Sequence, residues 1–360
     1  MSELRRPERR AGRSESVVPA KSAVSGASVA PRATVAPAPW VVPATTINSA
    51  LFDWSATQGR HLPLRDVTDP WRVLVAEVMS QQTQFARALS RAESFCAIFP
   101  TPAALAAAAP ADAIRAWAGL GYNRRAVALH RAAVRIVRLH GGSVPDAVDA
   151  LDALPGVGPY TARAVAAQAF GLAVGPVDVN IARVLVRLSG GRPQARELQG
   201  QADRLVDPGH PGQWVHAMMD LAGLVCLPRV APHCAECPLR RWCRSADLMR
   251  DVTAVAGLTA SRRAGVDSQG RAVRSCRPRS AGPPPLRASP APFVATRRWL
   301  RGALVQELRG APADRWVVIA GGRGLHDPTA VQAALLDLCR DGLLDRDDVG
   351  AVRLARSEAT

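Results

Sequence analysis

The sequence is almost without lysine: Lys21 is the only one among 46 basic residues, and the rest are arginine. Chemistry that joins a side-chain amine to a carbon atom as an imine therefore has almost no candidate group. Acidic residues are also too few to balance the arginines, which leaves a net charge of +16. A biased genome would explain arginine in place of lysine, but not this excess. The excess favours a polyanionic partner, most often nucleic acid.

Long apolar runs and aromatic residues are scarce as well. No apolar run is long enough to cross a membrane. The arginine pairs near the N-terminus are not followed by an apolar segment, so no secretory signal is predicted. Aromatic residues make up 4% of the chain, and the only tyrosines are Tyr122 and Tyr160.

Cysteine is unevenly distributed, since four of the seven lie close together. Cys226, Cys234, Cys237 and Cys243 form a C-x7-C-x2-C-x5-C set. A cluster of thiols with a few scattered ones is typical of a metal site in a reducing compartment rather than of disulfides. The spacing leaves structural zinc and an iron–sulfur cluster open as alternatives.

Composition and periodicity divide the chain into four parts. Residues 1–44 have no periodicity and predict a disordered basic tail. Residues 45–250 repeat apolar positions at helical spacing and predict an all-α domain, with Thr46 or Asn48 capping its first helix. Residues 251–292 are rich in Arg, Ser, Gly and Pro and predict a linker. Residues 293–360 predict two helices and a hairpin, an order that suits a small winged-helix-like module.

A turn with two glycines joins two helical runs within LPGVGPYTA. Gly156 and Gly158 can adopt positive φ or let another backbone come close. The free N–H groups at the start of the second helix could hold a phosphate, although an ordinary helix–helix corner would look similar. The segment VDVN follows this second helix and places Asp178 in an apolar setting before another helix.

A second carboxylate lies in the apolar run VLVAEVM. Burial raises the pKa of a glutamate such as Glu77, as a general acid requires. The alternative is a glutamate on the surface of a helix.

These segments together resemble the helix-hairpin-helix DNA glycosylases. The residues that carry the likeness are LPGVGPYTA, VDVN, AEVMSQQTQ and GLGYNRRA, within about residues 47–248, and they are most similar to the adenine-specific (MutY) branch. Endonuclease III is a near relative. The resemblance implies two all-α lobes around a cleft, one with the hairpin and one with the cysteine loop. Glu77 and Asp178 would face each other across it.

The resemblance also implies a reaction. The expected activity is hydrolysis of the N-glycosidic bond of adenine mispaired with 8-oxoguanine or guanine in double-stranded DNA, as part of base excision repair. Glu77 would protonate the adenine at N7, and Asp178 would stabilise the oxocarbenium ion. Tyr160 and Asn180 would orient this pair.

The expected DNA contacts follow from the same likeness. The adenine must leave the helix stack, and Gln82 and Tyr122 would fill the gap. Arg65, Gly156 and Gly158 would hold the DNA. The arginines that follow Tyr122 are expected to contact phosphates or face solvent.

Several positions depart from the family pattern, which affects the expected base selectivity. Leu64 stands where a tryptophan beside the adenine pocket is usual, and His216 where a Gln or Glu often touches adenine. Ser80 replaces a leucine and Asn123 a second tyrosine. The last module does not resemble the Nudix-like domain of many relatives, so weaker discrimination of 8-oxoguanine is expected.

For the four cysteines the resemblance implies a [4Fe–4S] cluster with a structural role. The first gap is one residue longer than the usual six. The expected protein is a monomer without membrane contact, in the bacterial cytoplasm with the nucleoid.

Two alternatives stay open. An endonuclease III-like enzyme acting on oxidised pyrimidines would need a lysine after the hairpin, where this chain has Tyr160. A monofunctional glycosylase is therefore expected. A non-catalytic DNA-binding module is the other alternative, but it would have no reason to keep both Glu77 and Asp178 in apolar settings.

Overall fold

The computed structural model describes residues 42–60, 67–83, 85–191, 193–246 and 292–356. The predicted tail up to residue 41 and the predicted linker up to residue 291 lie outside the described residues. Within them, helices dominate and the only paired strands lie near the C-terminus. The all-helical prediction for the main domain is confirmed.

The first lobe packs seven helices around one apolar core. They are α2 (Pro70–Ser80), α3 (Phe85–Ile98), α4 (Pro102–Ala107), α5 (Pro110–Ala116), α6 (Arg124–His140), α7 (Val148–Asp152) and α8 (Pro159–Phe170). Four of them begin at a proline, which is already shaped for the first turn and has no N–H to satisfy. The Asp69 side chain caps α2 by accepting from the Arg72 N–H at 2.7 Å.

The second lobe has a separate apolar core. It contains α1 (Ala44–Gln58), α9 (Val179–Ser189), α10 (Ala195–Leu205) and α11 (Pro211–Asp220), followed by a π-helical turn (Leu221–Val225) and short turns that carry the cysteines. Helix α8 contacts both α2 and α11, and its Ala167 belongs to the second core. The hairpin helix therefore lies between the two lobes.

The predicted cap of α1 was wrong. Pro43 precedes the helix, which starts at Ala44 and receives no side-chain cap. Asn48 is instead buried inside the helix, and its Nδ2 donates to the Leu205 carbonyl at 2.9 Å. A buried amide needs a partner, and here the partner ties α1 to α10.

The C-terminal residues follow the predicted order. They form α12 (Arg297–Arg309), α13 (Pro328–Arg340) and an antiparallel pair, β1 (Leu344–Arg346) and β2 (Val352–Leu354). Their apolar side chains join the core of the first lobe. The Ala111 N–H donates to the Ala355 carbonyl at 2.6 Å, so this module is packed against the first lobe.

No helix in the described part of the chain is long and apolar enough to cross a membrane.

Candidate active site

A cavity of about 760 Å³ is lined by both predicted catalytic carboxylates. Glu77 reaches it from α2, and Asp178 from the residue before α9. Tyr160, Asn180 and His216 line the same cavity. Gln82, Gly156 and Gly158 line it too, so the structure brings together eight of the predicted site residues.

Glu77 is half-buried and its environment favours the protonated acid. Burial raises the pKa of Glu77 to about 7, the Gln168 hydrogen bond lowers it, and the charge of Asp178 raises it. The Gln168 Nε2 donates to Oε1 of Glu77 at 2.8 Å. A carboxyl group with a pKa near the working pH is suited to general acid catalysis.

Asp178 has a polar environment that suits the carboxylate. It is the N-cap of α9, and Oδ1 accepts from the N–H groups of Asn180 at 2.9 Å and Ile181 at 2.8 Å. The Asn180 Nδ2 donates to the other oxygen, Oδ2, at 2.7 Å. These bonds hold the carboxylate in one orientation at the positive end of a helix.

Tyr160 is the second residue of α8. Its pKa is raised well above 10, first by burial and then by the charges of Glu77 and Asp178. The phenol therefore stays neutral beside the two carboxyl groups.

Arg183 links this site to the cysteine loop, a role not foreseen from the sequence. It donates to Oδ1 of Asn180 at 3.1 Å, to the carbonyl of Ala222 at 2.9 Å and to the carbonyl of Cys226 at 2.7 Å. Asn180 in turn donates to Asp178. One arginine thus connects the residue that orients Asp178 to the start of the cysteine loop.

The two hairpin glycines have different roles. Gly156 has φ of +81°, and a Cβ added there would lie 2.8 Å from the Cβ of Ala128. Its need for glycine is therefore structural. Gly158 is the N-cap of α8, and an added Cβ would meet nothing within 4 Å. The backbone at Gly158 is the one that another molecule can approach closely.

The two predicted wedge residues share an unusual backbone conformation. Gln82 has φ of +55° and Tyr122 has φ of +47°, and they are the only non-glycine residues in the described ranges with positive φ. Both are exposed. Such strained residues persist only where the surroundings hold them, and they cluster at functional sites.

Arg125 supports both predicted wedge residues, so the expectation that it faces solvent or phosphate was wrong. It is half-buried, and Nη1 donates to the carbonyls of Gln81 at 2.6 Å and Met79 at 3.0 Å. Nη2 donates to the Thr83 hydroxyl at 3.1 Å. The guanidinium also lies 5.6 Å from the centre of the Tyr122 ring. One side chain therefore braces both of the turns that carry Gln82 and Tyr122.

Some site residues were missed from the sequence. Gln168 is a polar side chain in an apolar helical run, which was the available signal for its contact with Glu77. Gln81 donates to the Gly156 carbonyl and the Thr161 hydroxyl, each at 3.3 Å. Arg60 lines the cavity and pairs with the fully buried Asp220, with Nε 2.7 Å from Oδ1.

Two predicted residues, Leu64 and Arg65, lie outside the described residues. His216 lies on α11 and lines the cavity as predicted.

The four clustered cysteines are free thiols in neighbouring turns. The pKa of Cys237 is raised to about 12, first by burial and then by the charges of the other three thiols, against a hydrogen bond from the Leu239 backbone that lowers it. Arg187 joins two of them, since its Nη1 lies 3.2 Å from Sγ of Cys226 and its carbonyl accepts from Sγ of Cys243 at 3.4 Å.

No three or more His, Cys, Asp or Glu side chains in the described residues are arranged to hold a metal ion. Four thiolates are a ligand set that both a structural zinc ion and a [4Fe–4S] cluster take, so the chemistry of the donors fits either group.

Comparison with known proteins places this site in a family. The model of the HhH-GPD superfamily base excision DNA repair proteins matches residues 75–208. A Mycobacterium tuberculosis protein named adenine DNA glycosylase is 37% identical over 305 residues, which are 82% of this chain and 89% of that one. The chain belongs to the adenine DNA glycosylase family. The resemblance stated from the sequence is thereby confirmed.

Other similarities agree with this membership. The human adenine DNA glycosylase is 39% identical over 216 residues, which are 56% of this chain and 39% of the human protein. Among solved structures, a thermostable thymine-DNA glycosylase is 26% identical with a TM-score of 0.54, covering 57% of this chain and 97% of that one.

Proposed function

We propose that this protein is a monofunctional, monomeric adenine DNA glycosylase that removes adenine opposite 8-oxoguanine or guanine in double-stranded DNA. The observation that carries the proposal is the pairing of Glu77 and Asp178 on one cavity, where the pKa of Glu77 is raised and Asp178 accepts hydrogen bonds at the N-terminus of α9. Hydrolysis of an N-glycosidic bond needs an acid for the leaving base and an anion for the sugar cation.

The reaction begins when the Glu77 carboxyl group gives its proton to N7 of a flipped-out adenine. The bond between N9 and C1′ breaks, and its electron pair leaves with the neutral adenine. Asp178 stabilises the positive charge on the sugar. Water then attacks C1′, and its proton goes to the Glu77 carboxylate, which restores the acid.

The wedge residues accompany this step. A flipped base leaves a gap in the duplex and costs a few kcal/mol of stacking. Gln82 and Tyr122 fill that gap from two braced turns. The open backbone at Gly158, at the start of α8, receives a phosphate.

The enzyme stops at base removal because it lacks a suitable amine. Tyr160 stands at the start of α8, and a phenol does not form an imine. The single lysine, Lys21, lies in the predicted N-terminal tail. The DNA strand therefore stays intact at the abasic site.

Cys226, Cys234, Cys237 and Cys243 are proposed to hold one [4Fe–4S] cluster. A bound cluster would cross-link the loop from Cys226 to Cys243, which also carries several arginines. It would thereby hold Cys226, whose carbonyl accepts from Arg183. Anaerobically purified protein should contain about four irons per chain. Colourless protein with one zinc per chain would contradict this assignment.

The proposed activity is tested with duplexes that contain A:8-oxoguanine, A:G, A:C or thymine glycol. Treatment with alkali then reveals abasic sites. We expect cleavage at adenine in the first two duplexes only after alkali, and little or no protein–DNA adduct with borohydride. Excision of thymine glycol, or strand breakage without alkali, would refute the proposal.

A further inference from the structure

A second large cavity, of about 810 Å³, lies between the Tyr122 loop and the C-terminal module. We call it the module groove. It is distinct from the catalytic cavity, since the two share no lining residue. Neither the family model, which ends at residue 208, nor the chemistry above gives it a role.

The groove is strongly basic. Five arginines line it, against two aspartates, Asp337 and Asp341. The arginines are Arg124, Arg297, Arg298, Arg301 and Arg340. Asp337 pairs with Arg297, Arg301 and Arg340, and Asp341 pairs with Arg301 and more distantly with Arg124, at 3.8 Å. The positive excess that remains suits a polyanion.

Arg298 is the groove residue that touches the wedge. Its guanidinium carbon lies 4.2 Å from the centre of the Tyr122 ring, and the side chain is exposed. The module also holds the neighbouring residue, since Nη2 of Arg309 donates to Oδ1 of Asn123 at 2.9 Å. The Tyr122 loop is thus clamped from the module side as well as by Arg125.

The contact between Arg298 and Tyr122 conflicts with stacking on DNA. A tyrosine inserted between bases presents its faces to them, so a guanidinium on one face must leave. An exposed cation–π contact is weak, whereas an arginine–phosphate pair is charge-assisted and often bidentate. Backbone phosphates beside the insertion point therefore compete successfully for Arg298.

We propose that the module groove is a second binding site for the DNA backbone, and that Arg298 exchanges the Tyr122 ring for a phosphate when the duplex binds. The ligand is the phosphodiester backbone of double-stranded DNA. This inference rests on the proposed function for the role of Tyr122 as a wedge, but its binding part does not require any excision.

The first test measures the affinity of the full chain for an undamaged duplex over a range of salt concentrations. Each phosphate contact contributes about 0.9 to the slope of log K against log salt. We expect Arg298→Gln to reduce the slope by about 1, and Arg124→Gln with Arg298→Gln by about 2. Both changes leave the ion pairs of Asp337 in place, so the module should stay folded.

The matched control is Arg315→Gln. Arg315 is an exposed arginine of the same module that does not line the groove, so its loss should leave the slope nearly unchanged. Arg298→Lys keeps the cation and should retain the slope. An unchanged salt slope in the double variant, or a reduction of the slope in Arg315→Gln as large as that in Arg298→Gln, would overturn the proposed site. If the double variant does not fold, the single variant decides.

The second test addresses the exchange. A duplex with 2-aminopurine beside the mispair reports stacking by its fluorescence. Quenching by the wild-type enzyme should depend on Tyr122 and disappear in Tyr122→Ala. With Arg298→Gln the quenching should persist once the DNA is saturated, because the ring is already released. Loss of quenching in saturated Arg298→Gln would show that Arg298 holds the ring in its inserted position, and the exchange would be wrong.

The two proposals fail separately. Absence of adenine excision, together with the expected reduction of the salt slope in the groove variants, would refute the glycosylase assignment and leave the groove proposal standing. Normal adenine excision, together with an unchanged salt slope in the groove variants, would refute the groove proposal and leave the glycosylase assignment standing.

Discussion

The two sides of the catalytic cavity carry the same functional group in opposite environments. On the α2 side, Glu77 is half-buried, and its side chain accepts from Gln168. On the α9 side, Asp178 accepts three hydrogen bonds at a helix N-terminus. Burial favours the neutral acid, as it does at Glu77 despite the Gln168 bond, whereas hydrogen-bond donors and a helix N-terminus favour an anion. In the proposed mechanism, this difference lets one cavity supply a proton donor and a group that stabilises the sugar cation from two carboxyl groups.

The largest effect should come from removing the charge at Asp178. Asp178→Asn should reduce single-turnover excision about 10³-fold, because the stabilisation of the sugar cation is lost. Binding and thermal stability should change little, since asparagine is as good an N-cap as aspartate. Asp327→Asn is the matched control, because Asp327 caps α13 in the same way. An excision rate near that of the wild type would remove Asp178 from the mechanism.

A smaller loss of excision rate should follow removal of the Glu77 carboxyl group. Glu77→Gln should reduce excision about 10²-fold, because the adenine must then leave without a proton from the enzyme. Glu93→Gln, an exposed glutamate on α3, should have no effect. If Asp178→Asn and Glu77→Gln differ from the wild type only in DNA affinity and not in single-turnover rate, the roles proposed for the two carboxyl groups are wrong.

The two substitutions should also differ in their effect on stability. The folded-state pKa of Glu77 is about 7, above its ordinary 4.5. The folded protein therefore holds the proton more tightly, and its stability falls as pH rises from about 4.5 to 7. Glu77→Gln removes this dependence and should raise the free energy of unfolding at pH 8 by about 2 kcal/mol. Urea unfolding at pH 5 and pH 8 tests this, and an equal effect at both pH values would contradict it.

The smallest effect concerns the hydrogen bond to Glu77. Excision needs the protonated acid, so the single-turnover rate should fall as pH rises through about 7. The Gln168 bond lowers the pKa of Glu77, so Gln168→Leu should move this fall to higher pH. The exposed Gln213 on α11 provides a control as Gln213→Leu. A shift to lower pH, or no shift, would show that the Gln168 hydrogen bond does not lower the pKa of Glu77.

Much of the site was readable from the sequence because its residues lie in short, continuous motifs. Asp178 is preceded by apolar residues and followed by a helix, and Tyr160 follows the hairpin directly. The wedge residues Gln82 and Tyr122 lie in segments that resemble family motifs. The prediction for Arg125 was wrong because nothing in the sequence distinguishes it from the neighbouring Arg124, which is exposed. Its hydrogen bonds go to backbone carbonyls at the end of α2 and just after it, more than 40 residues away along the chain.

The sequence alone determined the helical class, the two carboxylates, the hairpin and the grouped cysteines, because each depends on local spacing or on residues within one helix. Only the tertiary structure decided which other side chains contact the carboxylates and the cysteine loop. Gln168 meets Glu77 across 91 residues, and Arg183 reaches the cysteine loop across 43. The module groove likewise exists only because residues after 292 pack against the Tyr122 loop. Such contacts depend on how helices pack, and no local pattern records them.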